Sequence, residues 1–329
     1  MKKLIKTVVA ALICLAVIIF ILNVYSDVFG GTGTDVEMTV PKGAAGGEIV
    51  DMLSARDVIE YPLIFKIYSA VTGMDSKYKS GDFCINTGHS YKELLQILTG
   101  EPNSVANKVK ITIPEGFETD KIAAAMEQAG ICSADEFLKA ASTTDYDFDF
   151  LDDIDNKSDR KYVLEGYLFP TTYTFNKNTP ATEVVGAMLT IFEQVVSKYN
   201  IDDIDETITL ASVIEREALG DVDRRTVSSV FHNRLNGKGG LTKLQSCATV
   251  QYILGERKAV LSEADTKIDS PYNTYLYEGL PVGPIANPGE EAIAAAVNPE
   301  ETDYLYFGVN KSGKHTFSVN YEDHLKATQ

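Results

Sequence analysis

Glu215 stands where a helix would ordinarily carry an apolar side chain. Ile204, Ile208, Ala211, Glu215 and Ala218 step by four, three, four and three positions, and every member except Glu215 is apolar. That is the spacing of one helical face. A carboxyl on such a stripe is desolvated, which disfavours its charged form. A carboxylic acid that keeps its proton near neutral pH is what general acid catalysis requires. The same spacing also suits a glutamate at a helix edge that reaches water, or one partnered by an arginine such as Arg234. Glu217 and Arg216 fall on other faces and read as solvated charges.

Polar and aromatic residues on expected loops follow Glu215: Leu244-Gln245-Ser246, Ser270-Pro271-Tyr272-Asn273-Thr274-Tyr275, and the Gly/Pro-rich run from Gly279 to Gly289. Tyrosine rings stack on sugar faces, and amide side chains read hydroxyl and acetamide groups. Turn chemistry alone accounts equally well for the Gly/Pro run. Other chemistries lack their residues: there is no Gly-x-Ser-x-Gly, no histidine beside a nucleophile, no phosphate loop and no dinucleotide fingerprint. The four histidines and four cysteines share no zinc-ligand spacing, so neither a metal nor another cofactor is expected. Cys247 reads as a small buried thiol.

The elements that must position these residues mix helices and strands without a βαβ rhythm, which makes the fold class α+β. Helices are expected over 182–199, 206–218 and 224–235. Another opens after Asn287-Pro288-Gly289, with acids in its first turn, and ends at Asn298-Pro299. Segments 304–309 and 315–319 read as a β-hairpin. Upstream, Met38–Gly43 and Ile111–Gly116 repeat at an offset of 73 residues. Each copy is a short strand, a Pro-x-Gly turn and an amphipathic helix, with a second helix after it. The unit resembles a LysM-like glycan-binding module, and it also reads as a plain βα unit used twice. Residues 145–159 hold seven aspartates. Phe150 and Asn156 stand where a calcium loop needs Gly and Glu, so this stretch reads as a solvated acidic connector.

Val8 to Leu22 is uninterruptedly apolar, and the run covers residues 4–25 if Lys6 snorkels. About 20 residues suffice to span a bilayer as a helix. Lys2, Lys3 and Lys6 before the run and Asp27 after it put the N-terminus in the cytoplasm and the rest outside, in a single-pass topology. Val24-Tyr25-Ser26 is a poor cleavage site, which favours a retained anchor over a signal peptide. The expected division is a cytoplasmic tip and anchor at 1–26, a flexible linker at 27–37, a LysM-like and connecting region at 38–160, and a catalytic domain at 161–329. Past the anchor, 27 basic residues face 47 acidic ones, a net of −20. Such a balance argues against nucleic acid or an anionic lipid surface as the main ligand.

Seven blocks then occur in a telling order: Glu165-Gly-Tyr-Leu-Phe-Pro170, Ala211-Ser-Val-Ile-Glu-Arg-Glu217, Val230-Phe-His-Asn-Arg-Leu235, Leu244-Gln-Ser246, Ser270-Pro-Tyr-Asn-Thr-Tyr275, Gly279-Leu-Pro281 and His315-Thr-Phe317. Together they resemble the YceG-like family of endolytic murein transglycosylases. The resemblance implies a bacterial membrane protein that cuts nascent peptidoglycan strands between N-acetylmuramic acid and N-acetylglucosamine, leaving 1,6-anhydro ends. It implies Glu215 as acid and then base. Gln245, Ser246, Tyr272, Asn273 and Tyr275 are expected to hold the sugars, with Glu165 and Arg234 beside the acid or supporting it. Peptidoglycan synthases of the membrane are the expected protein partners. The family usually has Asp where this chain has Cys247, which puts a second carboxylate role there in doubt. Two alternatives stay open: a hydrolytic muramidase, and a glycan-binding scaffold without chemistry.

Overall fold

A computed structural model describes residues 15, 18–19, 21–100, 102, 108–218, 223–258 and 260–328. The chain forms two compact units, Met1–Lys108 and Val109–Gln329. In the first, β1 (Asp35–Val40) and β2 (Gly81–Asn86) pair antiparallel, with Asp35 opposite Asn86 and Val40 opposite Gly81; α1 (Gly46–Ser54) and α2 (Pro62–Thr72) run between them, and α3 (Tyr91–Thr99) follows. Pro62 opens α2, where a missing N–H removes no intrahelical bond, and Gly73 ends it at a left-handed φ of 67°. Ser90 and Glu93 cap α3 reciprocally. Met38, Ile49, Leu53, Phe65, Phe83, Tyr91 and Leu94 fill the core.

The expected flexible linker is held in place. The Asp27 carboxylate accepts from the amides of Glu60 (2.9 Å) and Tyr61 (3.0 Å), just ahead of α2. Gly31 donates to the Gly88 carbonyl at 2.8 Å, and Thr87 to that of Thr34 at 2.9 Å. Among the described residues no helix is long and apolar enough to cross a membrane. The span expected at 4–25 lies mostly outside them.

The second unit contains β3 (Lys108–Thr112, from its second residue), α4 (Thr119–Gln128), α5 (Ala134–Ala140), β4 (Thr172–Asn176), α6 (Ala181–Val196), α7 (Ile204–Glu217), α8 (Arg224–Leu235), α9 (Cys247–Leu254) and α10 (Glu290–Val297); the hairpin β5 (Tyr306–Val309) and β6 (His315–Ser318) precedes α11 (Tyr321–Thr328). Strand β3 pairs with β4. The order strand, helix, helix, strand, helix therefore occurs twice, and both Pro-x-Gly turns hold their glycine left-handed, Gly43 at 83° and Gly116 at 72°. The mixed α+β class of the sequence reading is what the elements form. Helices α3, α9 and α11 went unanticipated.

Helix α7 is the axis of this unit. Asp203 accepts from the Glu206 amide at 2.9 Å to start it. Every residue from Ile208 to Ile214 is buried, and α8, α9 and α10 pack against the helix. Its core also takes Ile113, Ile122, Met126 and Phe137. Residues 109–160, grouped in sequence with the LysM-like region, thus share the core of the segments that follow. The aspartate-rich stretch belongs here too. Its acids leave Phe150, Leu151 and Ile154 free to enter the core, and the Phe150 ring lies 6.0 Å from Tyr167 and 5.0 Å from Phe192. It is a core segment with an acidic surface rather than a solvated connector. Truncation by Phe150→Ala should lower unfolding free energy by about 3 kcal/mol in denaturant titrations; a change below about 0.5 kcal/mol, the usual surface value, would return the stretch to a connector.

Candidate active site

The last turn of α7, the first residue of α8 and the N-terminus of α10 converge on Glu215. Its side chain is 7% exposed. Oε1 lies 3.0 Å from Arg224 Nη2, and Oε2 accepts from the Gly289 amide at 3.1 Å. Both partners favour negative charge, one as a guanidinium and one as an unsatisfied amide at a helix start. Burial on the apolar stripe is as the spacing predicts, but the carboxyl meets charged and polar neighbours at the helix end. Its arginine is Arg224, not Arg234. The Pro114-Glu115-Gly116 turn closes the site: Glu115 Oε2 is 3.3 Å from the same Arg224 nitrogen, and a Cβ on Gly116 would stand 3.4 Å from Glu215 Cγ.

The flanking charges of α7 are also not solvated. The Arg216 side chain is 2% exposed and pairs at 2.6 Å with Glu118, which also accepts from Lys121. Glu217 accepts from the Ser246 hydroxyl and from the Ala248 amide at 3.1 Å, so a side chain of α7 caps the first turn of α9. Spacing could not reveal this, because α7 has protein around its whole circumference.

The residues expected to hold sugars divide into two groups. Gln245 is exposed and sits at a φ of 48°, a left-handed conformation that non-glycine residues adopt sparingly; its amide donates to the Thr274 carbonyl at 3.0 Å. Tyr275 is half-buried, its hydroxyl 3.1 Å from the Cys247 sulfur, and Cys247 is exposed rather than buried. The other three, and the two residues expected to support the acid, are bonded into the protein. Arg234 donates to the carbonyls of Leu305 (2.8 Å) and Leu244 (2.6 Å) and lies over the Tyr306 ring, tying the hairpin to the segment that ends in Gln245. Ser246 is held by Glu217 and by Thr274. Asn273 donates to the carbonyls of Thr266 and Ile268 and accepts from the Tyr275 amide. Tyr272 accepts from the Lys161 amide at 3.2 Å and packs on Tyr252.

Glu165 is fully buried beneath the site. It accepts from the Thr119 amide (3.0 Å) and hydroxyl (2.9 Å), the Tyr252 hydroxyl (3.1 Å) and the Asn287 side-chain amide (2.8 Å). Burial outweighs these donors and pushes its carboxyl up to about 7. Sequence reasoning missed Arg224, Glu115 and the support from Glu217. The signal for Arg224 was its place at the start of a helix nine residues after Glu215.

The chain belongs to the YceG-like family, which its residues 38–329 match. It is 34% identical over 312 residues to the endolytic murein transglycosylase of Bacillus subtilis (strain 168), an alignment covering 90% of this chain and 84% of that protein. The endolytic murein transglycosylase of Streptococcus pneumoniae serotype 2 (strain D39 / NCTC 7466) is 32% identical over 320 residues, covering 88% of this chain and 57% of that one. The crystal structure of a yceG-like protein from Listeria monocytogenes is 32% identical, with a TM-score of 0.59, covering 90% of this chain and 99% of that chain.

The Glu165 carboxyl makes a checkable contribution to stability. The folded chain holds this proton more tightly than the unfolded chain, so the contribution is complete below the unfolded value of 4.5 and declines as pH rises to about 7. The loss amounts to about 3 kcal/mol. Denaturant midpoints measured from pH 4.5 to 8 should therefore fall more steeply in wild type than in Glu165→Gln. Equal slopes in the two proteins would remove this buried proton from the account.

Proposed function

We propose that the chain cuts the β-1,4 bond between N-acetylmuramic acid and N-acetylglucosamine within peptidoglycan strands and leaves 1,6-anhydro ends. It is an enzyme, a lytic transglycosylase, and the observation that carries the detailed reading is Glu215, a buried carboxyl facing Arg224 and the Gly289 amide. Neutral Glu215 gives its proton to the glycosidic oxygen as the C1–O bond breaks. Arg224 and the Gly289 amide stabilise the carboxylate that this step creates. The carboxylate then takes the proton of the muramoyl C6 hydroxyl as that oxygen bonds to C1. Glu215 ends the cycle protonated, and no water is consumed. One carboxyl serves both steps because the nucleophile belongs to the substrate, and the substrate acetamide can share the charge at C1.

Gln245 and Tyr275, with exposed surface, are the side chains that contact sugar. Glu165, Arg234, Ser246, Tyr272 and Asn273 act by holding the segments that present them. The strand–helix–helix–strand order of the first unit supports a LysM-like glycan-binding role for it. The apolar run over residues 4–25 supports a single-pass anchor with the catalytic part outside the cytoplasm, where membrane-bound peptidoglycan synthases are the partners at hand.

The full chain in detergent, wild type and Glu215→Gln, should be incubated with uncrosslinked strands and the new ends identified by mass spectrometry. Wild type should yield anhydro-muramoyl ends, lighter by one water than hydrolysed ends. Glu215→Gln should lose about 10²–10⁴-fold in rate. Reducing ends would instead mean a muramidase, and strand binding without cleavage by either protein would mean a scaffold.

A further inference from the structure

The site asks two opposite things of Glu215. In the proposed reaction, on which this inference rests, the carboxyl must be neutral at the start and charged after the first step. A guanidinium at 3.0 Å favours the charged form alone. The same Arg224 nitrogen, however, has a second carboxylate in reach, Glu115 at 3.3 Å. Glu215 is buried and Glu115 is half-exposed, its side chain 48% accessible.

The place of Glu115 is built into two neighbouring segments. A Cβ on Gly289 would fall 2.2 Å from the Glu115 carboxyl carbon and Oε1. Gly289 has a φ of −76°, open to any residue, so the lack of a side chain there serves the close approach of Glu115. Gly289 is also the residue whose amide bonds Glu215. The turn is pinned by the Gly116 amide, which donates to the Asn287 carbonyl at 2.9 Å. The acid, its arginine and Glu115 are thus fixed by the same short stretch of backbone.

We propose that Glu115 is a positioning residue for the proton on Glu215, acting through Arg224. While Glu215 is protonated, Glu115 takes the guanidinium. As Glu215 ionises, Arg224 turns its charge to it. The other charges nearby have their own partners: Arg216 with Glu118 from α4, Asp223 with His315 from β6, Glu217 with Ser246 from α9, and Glu290 of α10 with Lys198. Asp221 lies outside the described residues.

The test is kcat/KM on uncrosslinked strands as a function of pH, with the full chain in detergent. Loss of the proton from the acid sets the alkaline limb of such a profile. In Glu115→Gln, the Glu115 carboxylate no longer competes with Glu215 for Arg224, which favours ionisation of Glu215, so this limb should move to lower pH by about one unit. Glu115→Asp retains the charge but withdraws it by one methylene, and it should move the limb the same way by less. A uniform loss of rate with an unmoved limb in both variants would make Glu115 merely structural and overturn the proposal. Glu215→Gln, run in parallel, separates the two readings: if it keeps wild-type activity, the assignment of the acid fails, whereas an inactive Glu215→Gln beside an unmoved limb in the Glu115 variants sinks only the role of Glu115.

Discussion

Everything around Glu215 depends on one buried side chain, that of Asn287. Its carbonyl oxygen accepts from the amides of Gly166 and Leu168, both at 2.9 Å. Its amide nitrogen donates to the Phe117 carbonyl and to Glu165. Its own backbone exchanges bonds with Phe117 and Gly116. Three segments far apart in sequence, the 114–118 turn, the 165–168 turn and the approach to α10, are thereby fixed to one planar group. Buried away from water, none of these bonds has a cheap substitute, so the arrangement is all or nothing. It sets where Glu115 and the Gly289 amide stand, and hence what Glu215 faces.

Glu165 sits in the same knot and shows the tension such packing creates. Every group that reaches it can donate, which suits a carboxylate, yet full burial works against the charge. Gly166, next to it, is left-handed at 93°, and a Cβ there would meet Pro284 at 2.5 Å. The Glu-Gly pair is therefore a hydrogen-bonding requirement followed by a backbone one. The signature that resembles the family at residues 165–170 records a joint in the scaffold, and its service to the site is indirect.

How much of this was legible in the sequence follows from the range of each interaction. The elements around α7, α8, α10 and the closing hairpin are local patterns of periodicity, caps and turns, and they appear within a few residues of their expected bounds. Glu215 was legible because its anomaly is local as well, an acid among apolar residues at helical spacing. Arg216 and Glu217 were misread as solvated because a helical wheel identifies one buried face and assigns the rest to water. For α7 that premise fails, since seven consecutive residues are buried. Residue type told that Asn273, Tyr272, Ser246 and Arg234 form hydrogen bonds, but not with what. Their partners lie on other loops, such as Arg234 with the carbonyls of Leu244 and Leu305, and no spacing within one segment encodes that.

The repeated strand–turn–helix unit shows how a common piece of structure acquires a chemical task. Both Pro-x-Gly turns bend the chain with a left-handed glycine, Gly43 and Gly116, and each leaves one side chain at the apex. In the first copy that side chain is Lys42, which is exposed. In the second it is Glu115, beside Arg224 and against Gly289. The turn itself is the same solution to the same geometric problem, so its glycine and proline say nothing about function. What differs is the surrounding packing. Gly116 rather than a larger residue also lets the backbone come within contact of Glu215, so the residue that permits the turn in both copies becomes, in one of them, part of the wall of the site.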